Sequence, residues 1–302
     1  MAAEIGTWIG NGATGIWKPQ IDPAMVDDVR FPALLAAAKD GVSFADAVVL
    51  VTGASDTKSI GYAIAKDFAQ GGAQVIITGS RDLAAITKTA EQLAAEAGAG
   101  KVLPARVNQG DLAEIDQLFD ALKAQNLTVT HLYPFAAINH PCLVMGIKPE
   151  DYQRVFSVNV FGVYHLMVRH MRAIPRGKTY YGCVPLSPND GRLLGSGLYS
   201  PSKQALRALV IQAQNEYGNR RGGIYTGIDI AWTRSALMSK LDAGVEKVRA
   251  VGLKVFETED TADCCTLLGT AAASAIKGTS LDAAGGFGRV NPDDMAKVLG
   301  GH

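Results

Sequence analysis

Residues 47–82, AVVLVTGASDTKSIGYAIAKDFAQGGAQVIITGSRD, decide the fold. AVVLVTG (47–53) is an unbroken apolar run, rich in β-branched residues and short enough for a buried strand. IGYAIAKDFAQ (60–70) has helical spacing and stops at Gly71-Gly72, and AQVIITGS (73–80) is a second buried strand. A strand, a helix and a second strand in succession require a crossover, which sets the two strands parallel.

The alternation continues down the chain. RDLAAITKTAEQLAAEAG (81–98) reads as a helix closed by Gly98, KVLPARVN (101–108) as a strand, and DLAEIDQLFDALKAQ (111–125) as a helix. VTHLYPFAA (129–137) is the next strand, followed by one long helix from Pro149 to Arg172 and the strand TYYGCVPLS (179–187). A helix over 200–218, the strand GIYTGIDIAW (223–232), a helix over 260–275 and a short last strand within 278–286 complete the series. The predicted fold is α/β and Rossmann-type, a doubly wound, mostly seven-stranded parallel sheet with helices on both faces. It occupies 47–302. Residues 1–46 carry two Trp residues, Gly turns and one short helix at 31–41, and read as an extension packed on the body, or as a lid or oligomer contact.

Bulk properties narrow the function. With 48% hydrophobic and 19% charged residues, the 302-residue chain can bury a large core and is not a disordered sequence. Lys plus Arg equals Asp plus Glu at 29 each, with no block of like charge, so nothing marks a nucleic-acid partner. No stretch approaches the roughly 18 apolar residues of a membrane span, and the first residues lack the basic start and apolar run of a signal peptide. Cys142, Cys183, Cys264 and Cys265 show no CxxC pair or metal-site spacing, so no metal is expected and a reducing, cytoplasmic setting fits. A small-molecule partner remains.

The turn between the first strand and first helix is a candidate anion cradle. Gly53, Ser55, Ser59, Ile60 and Gly61 lie where backbone N–H groups and a helix N-terminus would face a pyrophosphate, and Gly61 lets the helix pack closely. The second strand ends in Thr78-Gly79-Ser80-Arg81 without an acidic residue to hold a ribose 2′-hydroxyl. Asp82 reads instead as a helix-start charge. Ser80 and Arg81 are therefore candidate contacts for a 2′-phosphate, with Lys58 adding charge, and the predicted cofactor is NADP or NADPH.

Tyr199-Ser200-Pro201-Ser202-Lys203 is a YxxxK pentad at a helix start, where positions four apart share a face. A phenol ordinarily near 10 becomes a useful acid if a neighbouring ammonium and a positive nicotinamide draw its pKa down. Ser187, twelve residues before Tyr199 at the end of a strand, is placed to hold a substrate carbonyl. Asn159, polar among apolar neighbours in SVNVFG, is either a satisfied core amide or a member of the catalytic group.

These four residues, in this order and on these elements, resemble the short-chain dehydrogenases and reductases. The cradle is similar to their TGxxxGxG turn, with two residues inserted and Ser59 at the middle glycine, where its hydroxyl would bond phosphate. VLVTGAS with SIG, NQG, PFAAI, PLSPNDG, GLYSPSK and IAWTRSALM resemble in particular the ketoreductase domain of fungal-type and bacterial type I fatty acid synthases, over roughly 47–256. That resemblance implies that Asn108 and Gln109 lie beside the adenine. It also implies that Ala136 and Ala137 replace an Asn-Ala-Gly near the cofactor, and that Ile230, Ala231, Trp232 and Thr233 replace a Pro-Gly turn by the nicotinamide.

The function expected is NADPH-dependent reduction of a 3-ketoacyl thioester, carried by a carrier protein or CoA, to the 3-hydroxyacyl thioester. An enoyl-thioester reductase is the alternative enzyme, since SIGYAIAKDFAQGGAQVIIT also resembles that branch. There the catalytic Tyr stands seven residues before the Lys, a position held here by Ser196. Reduction of another ketone and a non-catalytic NADP-binding sensor complete the alternatives. Segments 139–148 and 233–256 are expected to line the substrate site. A homodimer or homotetramer is expected through the helices bearing Asn159 and Tyr199, with Val163, Leu166, Leu206 and Leu209 on the contact face.

Overall fold

The structure is a computed structural model that describes residues 2–191, 193, 195–230, 232–238 and 245–290. The extension supplies β1 (Glu4–Ile5) and α1 (Phe31–Ala37). The first half of the body runs β2 (Val48–Thr52), α2 (Ile60–Gln70), β3 (Gln74–Gly79), α3 (Leu83–Ala97), β4 (Lys101–Arg106), α4 (Leu112–Ala124) and β5 (His131–Pro134). The second half runs α5 (Pro149–Phe156), α6 (Val163–Ala173), β6 (Tyr180–Leu186), α7 (Tyr199–Ala213), the single turn α8 (Asn219–Arg221) and β7 (Gly223–Ile230). The remainder is β8 (Trp232–Arg234), α9 (Val245–Ala250), β9 (Val255–Glu257), α10 (Thr258–Leu267) and β10 (Ser280–Ala283).

The main sheet has the order β1-β4-β3-β2-β5-β6-β7-β10. Seven of these strands are parallel and β1 alone is antiparallel, pairing Glu4 with Arg106 and Ile5 with Ala105. Alternation along each strand sends side chains to opposite faces. Val49, Val51, Val75 and Ile77 pack with Phe68 of α2 and with α3 and α10, whereas Val48, Leu50, Ile76 and Leu103 pack with Leu118, Leu166 and Leu206 of α4, α6 and α7. The strands are apolar throughout because both faces are covered.

The extension crosses the body and reaches both edges of the sheet. At one edge β1 pairs with β4, and Arg106 bonds Glu4 Oε1 at 3.1 Å. Trp17 is buried beside Phe44, with ring centroids 6.1 Å apart. At the other edge Asp28 Oδ2 accepts from Asp282 N at 3.0 Å, and Arg30 donates to Ser280 O at 2.7 Å. Unpaired backbone at both edges is thus occupied by the chain itself.

Three elements differ from expectation. The run 223–232 is not one strand: β7 stops at Ile230, and Trp232 opens β8, which pairs in parallel with β9 through Trp232 and Val255. The helix expected over 260–275 breaks after α10 and resumes as a tighter turn at Ala271–Ile276. A Cβ at the intervening Gly269 would lie 2.6 Å from Tyr133 Oη and 2.8 Å from Phe68, and the Gly269 carbonyl meets His131 Nε2 at 3.0 Å. The long helix 149–172 is present but widens into a π-helical turn at Ser157–Gly162. Among the described residues no helix is long and apolar enough to cross a membrane.

Candidate active site

Strand order reverses between β2 and β5, and there the carboxyl ends of the strands open into a cleft of about 880 Å³. Ligands of open α/β sheets settle at such a point. The expected catalytic and cofactor residues line the cleft except Lys58, Arg81 and Asn159. Of the expected substrate segments, Asn139, Pro141, Cys142 and Leu143 line it, as do Thr233, Ser235, Ala236, Leu237 and Met238, whereas 245–256 do not. Ala231 lies outside the described residues, as do 239–244 within the expected substrate segment 233–256.

The turn after β2 carries the cradle. Gly53 sits at φ +69, and a Cβ there would come within 2.7 Å of the Ala136 backbone, so only glycine fits between β2 and β5. A Cβ on Gly61 would meet Gly53 O at 2.9 Å, which confirms the close approach of α2. Ser59 caps α2, its Oγ accepting from Tyr62 N at 3.0 Å. Its hydroxyl proton is still free to donate, so a phosphate contact adds to the capping role without replacing it. Ile60 and Gly61 form the first turn, whose N–H groups have no intrahelical acceptor. Ser55 packs against Gly79, whose added Cβ would sit 2.3 Å from Ser55 Oγ. Arg81 donates to the Ser55 carbonyl and keeps its guanidinium exposed at the rim. Ser80 is exposed beside it, and Asp82 caps α3 by accepting from Ala85 N at 2.9 Å.

Asn108 and Gln109 divide their work. Asn108 is exposed and turns its Oδ1 to Gly110 N at 3.0 Å. Gln109 is buried, its Nε2 donating to Ala136 O at 2.9 Å and Val158 O at 2.8 Å while its Oε1 accepts from Thr52 Oγ1 at 2.5 Å. Its amide is therefore a brace between β2, the 136–137 segment and the π-helical turn, and is not turned out toward a base. Thr52 Oγ1 also accepts from Ala136 N at 3.1 Å.

Asn159 acts in the same structural manner. Its Oδ1 accepts from Ile138 N at 2.8 Å and its Nδ2 donates to Ile138 O at 3.0 Å and Ser202 Oγ at 3.1 Å. Its side chain is a satisfied core amide that fixes the loop after β5 to the helix that bears Tyr199. The widened turn around it makes room for Gln109: a Cβ on Gly162 would lie 2.1 Å from Gln109 O.

Tyr199 begins α7 and Lys203 follows one turn later, its Nζ 5.6 Å from the centre of the Tyr199 ring. Lys203 donates to Pro185 O at 2.9 Å, leaving two of its three ammonium protons without that acceptor. Burial pushes the Tyr199 pKa up to about 12 and the Lys203 pKa down to about 8. Desolvation is the cause of the Tyr199 shift in the free protein, whereas the lowering expected from sequence also drew on the positive nicotinamide. Ser187 caps the cleft wall at the end of β6, its Oγ accepting from Asn189 N at 3.2 Å.

Several positioning residues carried no signal in the sequence. Gln204 Nε2 reaches Ser187 O at 3.4 Å and Asn189 O at 3.2 Å, and Arg207 reaches Ser187 O at 3.3 Å while pairing with Asp229. Asn189 also donates to Ser196 Oγ at 2.8 Å, and Ser196 donates to Leu193 O at 2.5 Å. α7 thereby holds Tyr199, Lys203 and the Ser187 backbone as one body. Trp232 and Ile230 line the cleft half-buried, but Thr233 turns its hydroxyl to Thr261 Oγ1 at 2.9 Å. The loop after β8 folds back over the cradle, with Ala236 N donating to Lys58 O at 2.9 Å.

This arrangement agrees with what the chain is similar to. Residues 53–288 match the family described as enoyl-(acyl carrier protein) reductase, a group of short-chain dehydrogenases and reductases. The chain belongs to the short-chain dehydrogenase/reductase family. Fatty acid synthase alpha subunit hexA of Dothistroma septosporum is 29% identical over 287 residues, covering 91% of the chain. Fatty acid synthase subunit alpha of Penicillium patulum is 31% identical over 248 residues, covering 75%. The chain spans only 16% and 13% of the length of these two relatives. A candidate NAD(P)-dependent gluconate 5-dehydrogenase from Beutenbergia cavernae, solved with bound NADP, superposes with a TM-score of 0.73 at 22% identity, covering 82% of this chain and 98% of that one.

Proposed function

We propose that this short-chain reductase converts 3-ketoacyl thioesters to 3-hydroxyacyl thioesters with NADPH. The observation that carries the reading is the convergence of Ser187, Tyr199 and Lys203 on one cleft with the glycine cradle. The cleft fits a dinucleotide: Gly53 leaves no room for a side chain, the first turn of α2 presents its N–H groups, and Arg81 stands at the rim beside Ser80. Arg81 and the absence of an acid at the end of β3 support the phosphorylated cofactor. NADPH, when bound, supplies the hydride.

The remaining work falls to the chain. Ser187 Oγ, fixed by Asn189 N, donates to the substrate carbonyl and so favours the charge that develops on its oxygen. Tyr199, with its phenol held neutral by burial, keeps its proton at neutral pH and yields it to the developing alkoxide. Lys203, still largely protonated near neutrality, lies under the Tyr199 ring and stabilises the phenolate left behind. Its spare protons suit the ribose hydroxyls.

The family description favours a second reading, reduction of an enoyl thioester. Against it, Ser196 stands where that branch has its Tyr and spends its hydroxyl within the loop, on Leu193 O. NADPH oxidation supplied in parallel with acetoacetyl-CoA, longer 3-ketoacyl thioesters, crotonyl-CoA and simple ketones separates these readings. Turnover of crotonyl-CoA alone supports the second. No turnover of any of them, with NADPH bound, supports a sensor.

Assembly as a dimer or tetramer belongs to the same proposal, but not through the residues expected. Val163, Leu166, Leu206 and Leu209 are buried in the chain's own core, because α6 and α7 turn them onto the sheet. Phe161, Tyr164 and Ile211 are the exposed apolar residues of this face. Light scattering at micromolar concentration should report more than one chain, and Tyr164→Glu should reduce it to a monomer.

A further inference from the structure

A second cavity, of about 830 Å³, opens at the opposite end of the sheet from the cleft. It lies where β6 and β7 begin, between the loop before Tyr180 and the turn α8 before Gly223. Thr179 on its wall and Ser187 on the cleft wall bracket β6, about 25 Å of extended chain. Arg176 and Lys178 stand on the first wall, and Arg220 and Arg221 on the second. The walls adjoin, since a Cβ on Gly222 would come 3.2 Å from Lys178 O. Glu216 is the only acid of the lining, and its carboxylate accepts from Gln212 Nε2 at 2.8 Å.

Among the described residues none of these four cations pairs with a carboxylate. Arginines elsewhere do so regularly: Arg30 with Asp28, Arg154 with Asp151, Arg169 with Asp116 and Arg207 with Asp229. The other described arginines without an acid are Arg81, which stands where a 2′-phosphate is expected, and Arg172 in the last turn of α6. Basic residues at helix C-termini often answer only the helix dipole, but that amounts to roughly half a charge per helix. α6 and α8 together offset about one such charge, and Arg176 and Lys178 lie outside both helices.

The second wall is rigidly built. α7 runs into another π-helical turn, Gln214–Gly218, a geometry that recurs at functional sites. Gln214 is buried, its Nε2 donating to Asn219 Oδ1 at 3.0 Å and Gly223 O at 3.1 Å while its Oε1 accepts from Tyr225 N at 2.8 Å. It braces α8 against β7 much as Gln109 braces the cleft, so the backbone of Arg220 and Arg221 is set before any ligand arrives.

We propose that this cavity is a second ligand site, taking a small molecule that carries a diphosphate or longer phosphate chain. Guanidinium groups fork onto phosphate oxygens, and cations on two walls suit an anion long enough to touch both. One carboxylate against four cations leaves an excess that a single phosphate, at roughly −2, does not meet. A concave pocket of this size fits a small molecule better than the flat surface of an acidic protein.

Pyrophosphate is the probe, titrated calorimetrically into the full chain in excess NADPH so that the cradle is filled. One site per chain is expected, weakening as salt is raised. Arg176→Ala/Arg221→Ala removes one cation from each wall and should weaken binding about tenfold or more. Lys178→Ala/Arg220→Ala does the same should the first pair misfold. Arg81→Ala should leave this binding unchanged, which separates the site from the cofactor cleft. No pyrophosphate binding at low salt, or binding that survives both double changes in folded protein, overturns the site. Loss of binding in Arg81→Ala puts the pyrophosphate in the cleft and overturns it as well. Oligoglutamate that binds as tightly as pyrophosphate overturns the phosphate assignment in favour of an acidic protein partner.

Discussion

Two pairs of ionisable side chains are withdrawn from water in this molecule, and they are used in opposite ways. Lys203 is buried and Tyr199 half-buried against the cleft, with Pro185 O as a protein acceptor for the ammonium. Asp67 and Asp263 are buried where the extension crosses α2 and α10. Asp67 accepts from Thr266 Oγ1 at 3.1 Å, and Asp263 accepts from Gln20 N at 2.5 Å and Ile21 N at 2.7 Å. Burial raises both carboxyls, Asp263 to about 6, and the nearby Asp263 charge raises Asp67 further. A perturbed group signals chemistry only where it also faces open volume. The Asp pair faces side-chain and backbone donors packed against it, and the Tyr–Lys pair faces the cleft.

The largest expected effects break the cleft pair. Tyr199→Phe keeps the ring and removes the transferable proton, so ketone turnover should fall about a hundredfold to ten-thousandfold while NADPH binding and the fold persist. Retention of most ketone reduction would place the acid elsewhere. Lys203 comes next. Its charge is present below a pKa of about 8 and is lost as pH rises through that value. NADPH affinity of the free protein should therefore weaken above pH 8, approaching about tenfold per pH unit. Lys203→Met should bind weakly at every pH and lose the inflection. An inflection that survives in Lys203→Met belongs to another group.

Most of the fold and the cleft was legible because their signals are local. Apolar runs such as AVVLVTG mark buried strands, Gly53 and Gly61 mark close backbone approach, and Tyr199 and Lys203 share a helical face by spacing alone. What escaped depends on partners distant in sequence. Gln109 lines the cleft as its motif suggests, but nothing local shows that Thr52, Ala136 and Val158 occupy its amide. β8 exists only because Val255 returns to pair with Trp232. Nothing in residues 1–46 announces that they seal both sheet edges, since β1 is two residues long and Asp28 is one acid among many.

A smaller effect is expected at the rim. Arg81 lies exposed against Ser55 O, outside the buried pair, so its contribution is a solvent-screened one. NADPH should be preferred over NADH by about tenfold or more, roughly 1.4 kcal/mol. Arg81→Ala should bring the two cofactors close to parity with kcat for NADPH little changed. Equal affinities in the unaltered protein, measured by fluorescence titration, would remove Arg81 from the site.

The smallest effect sharpens the contrast from the structural side. A carboxyl whose folded pKa is raised favours the protonated folded state. Asp263 therefore costs stability as pH rises from its unfolded value near 3.8 through about 6, and the full cost is present above that. Asp263→Asn keeps an oxygen for Gln20 N and Ile21 N and removes the buried charge, which also relieves Asp67. At pH 8 the variant should be more stable by about 1 kcal/mol, a rise in Tm of about 2–4 °C. At pH 4.5 Asp263 is already mostly protonated in the folded chain, and the gain should shrink toward zero. Turnover should be unaffected at either pH, since neither carboxyl reaches the cleft. A variant less stable at pH 8, or equally stabilised at both, would mean that the two backbone bonds outweigh the buried charge. The Asp pair would then be a clasp for the extension, with no stability cost in its ionised form.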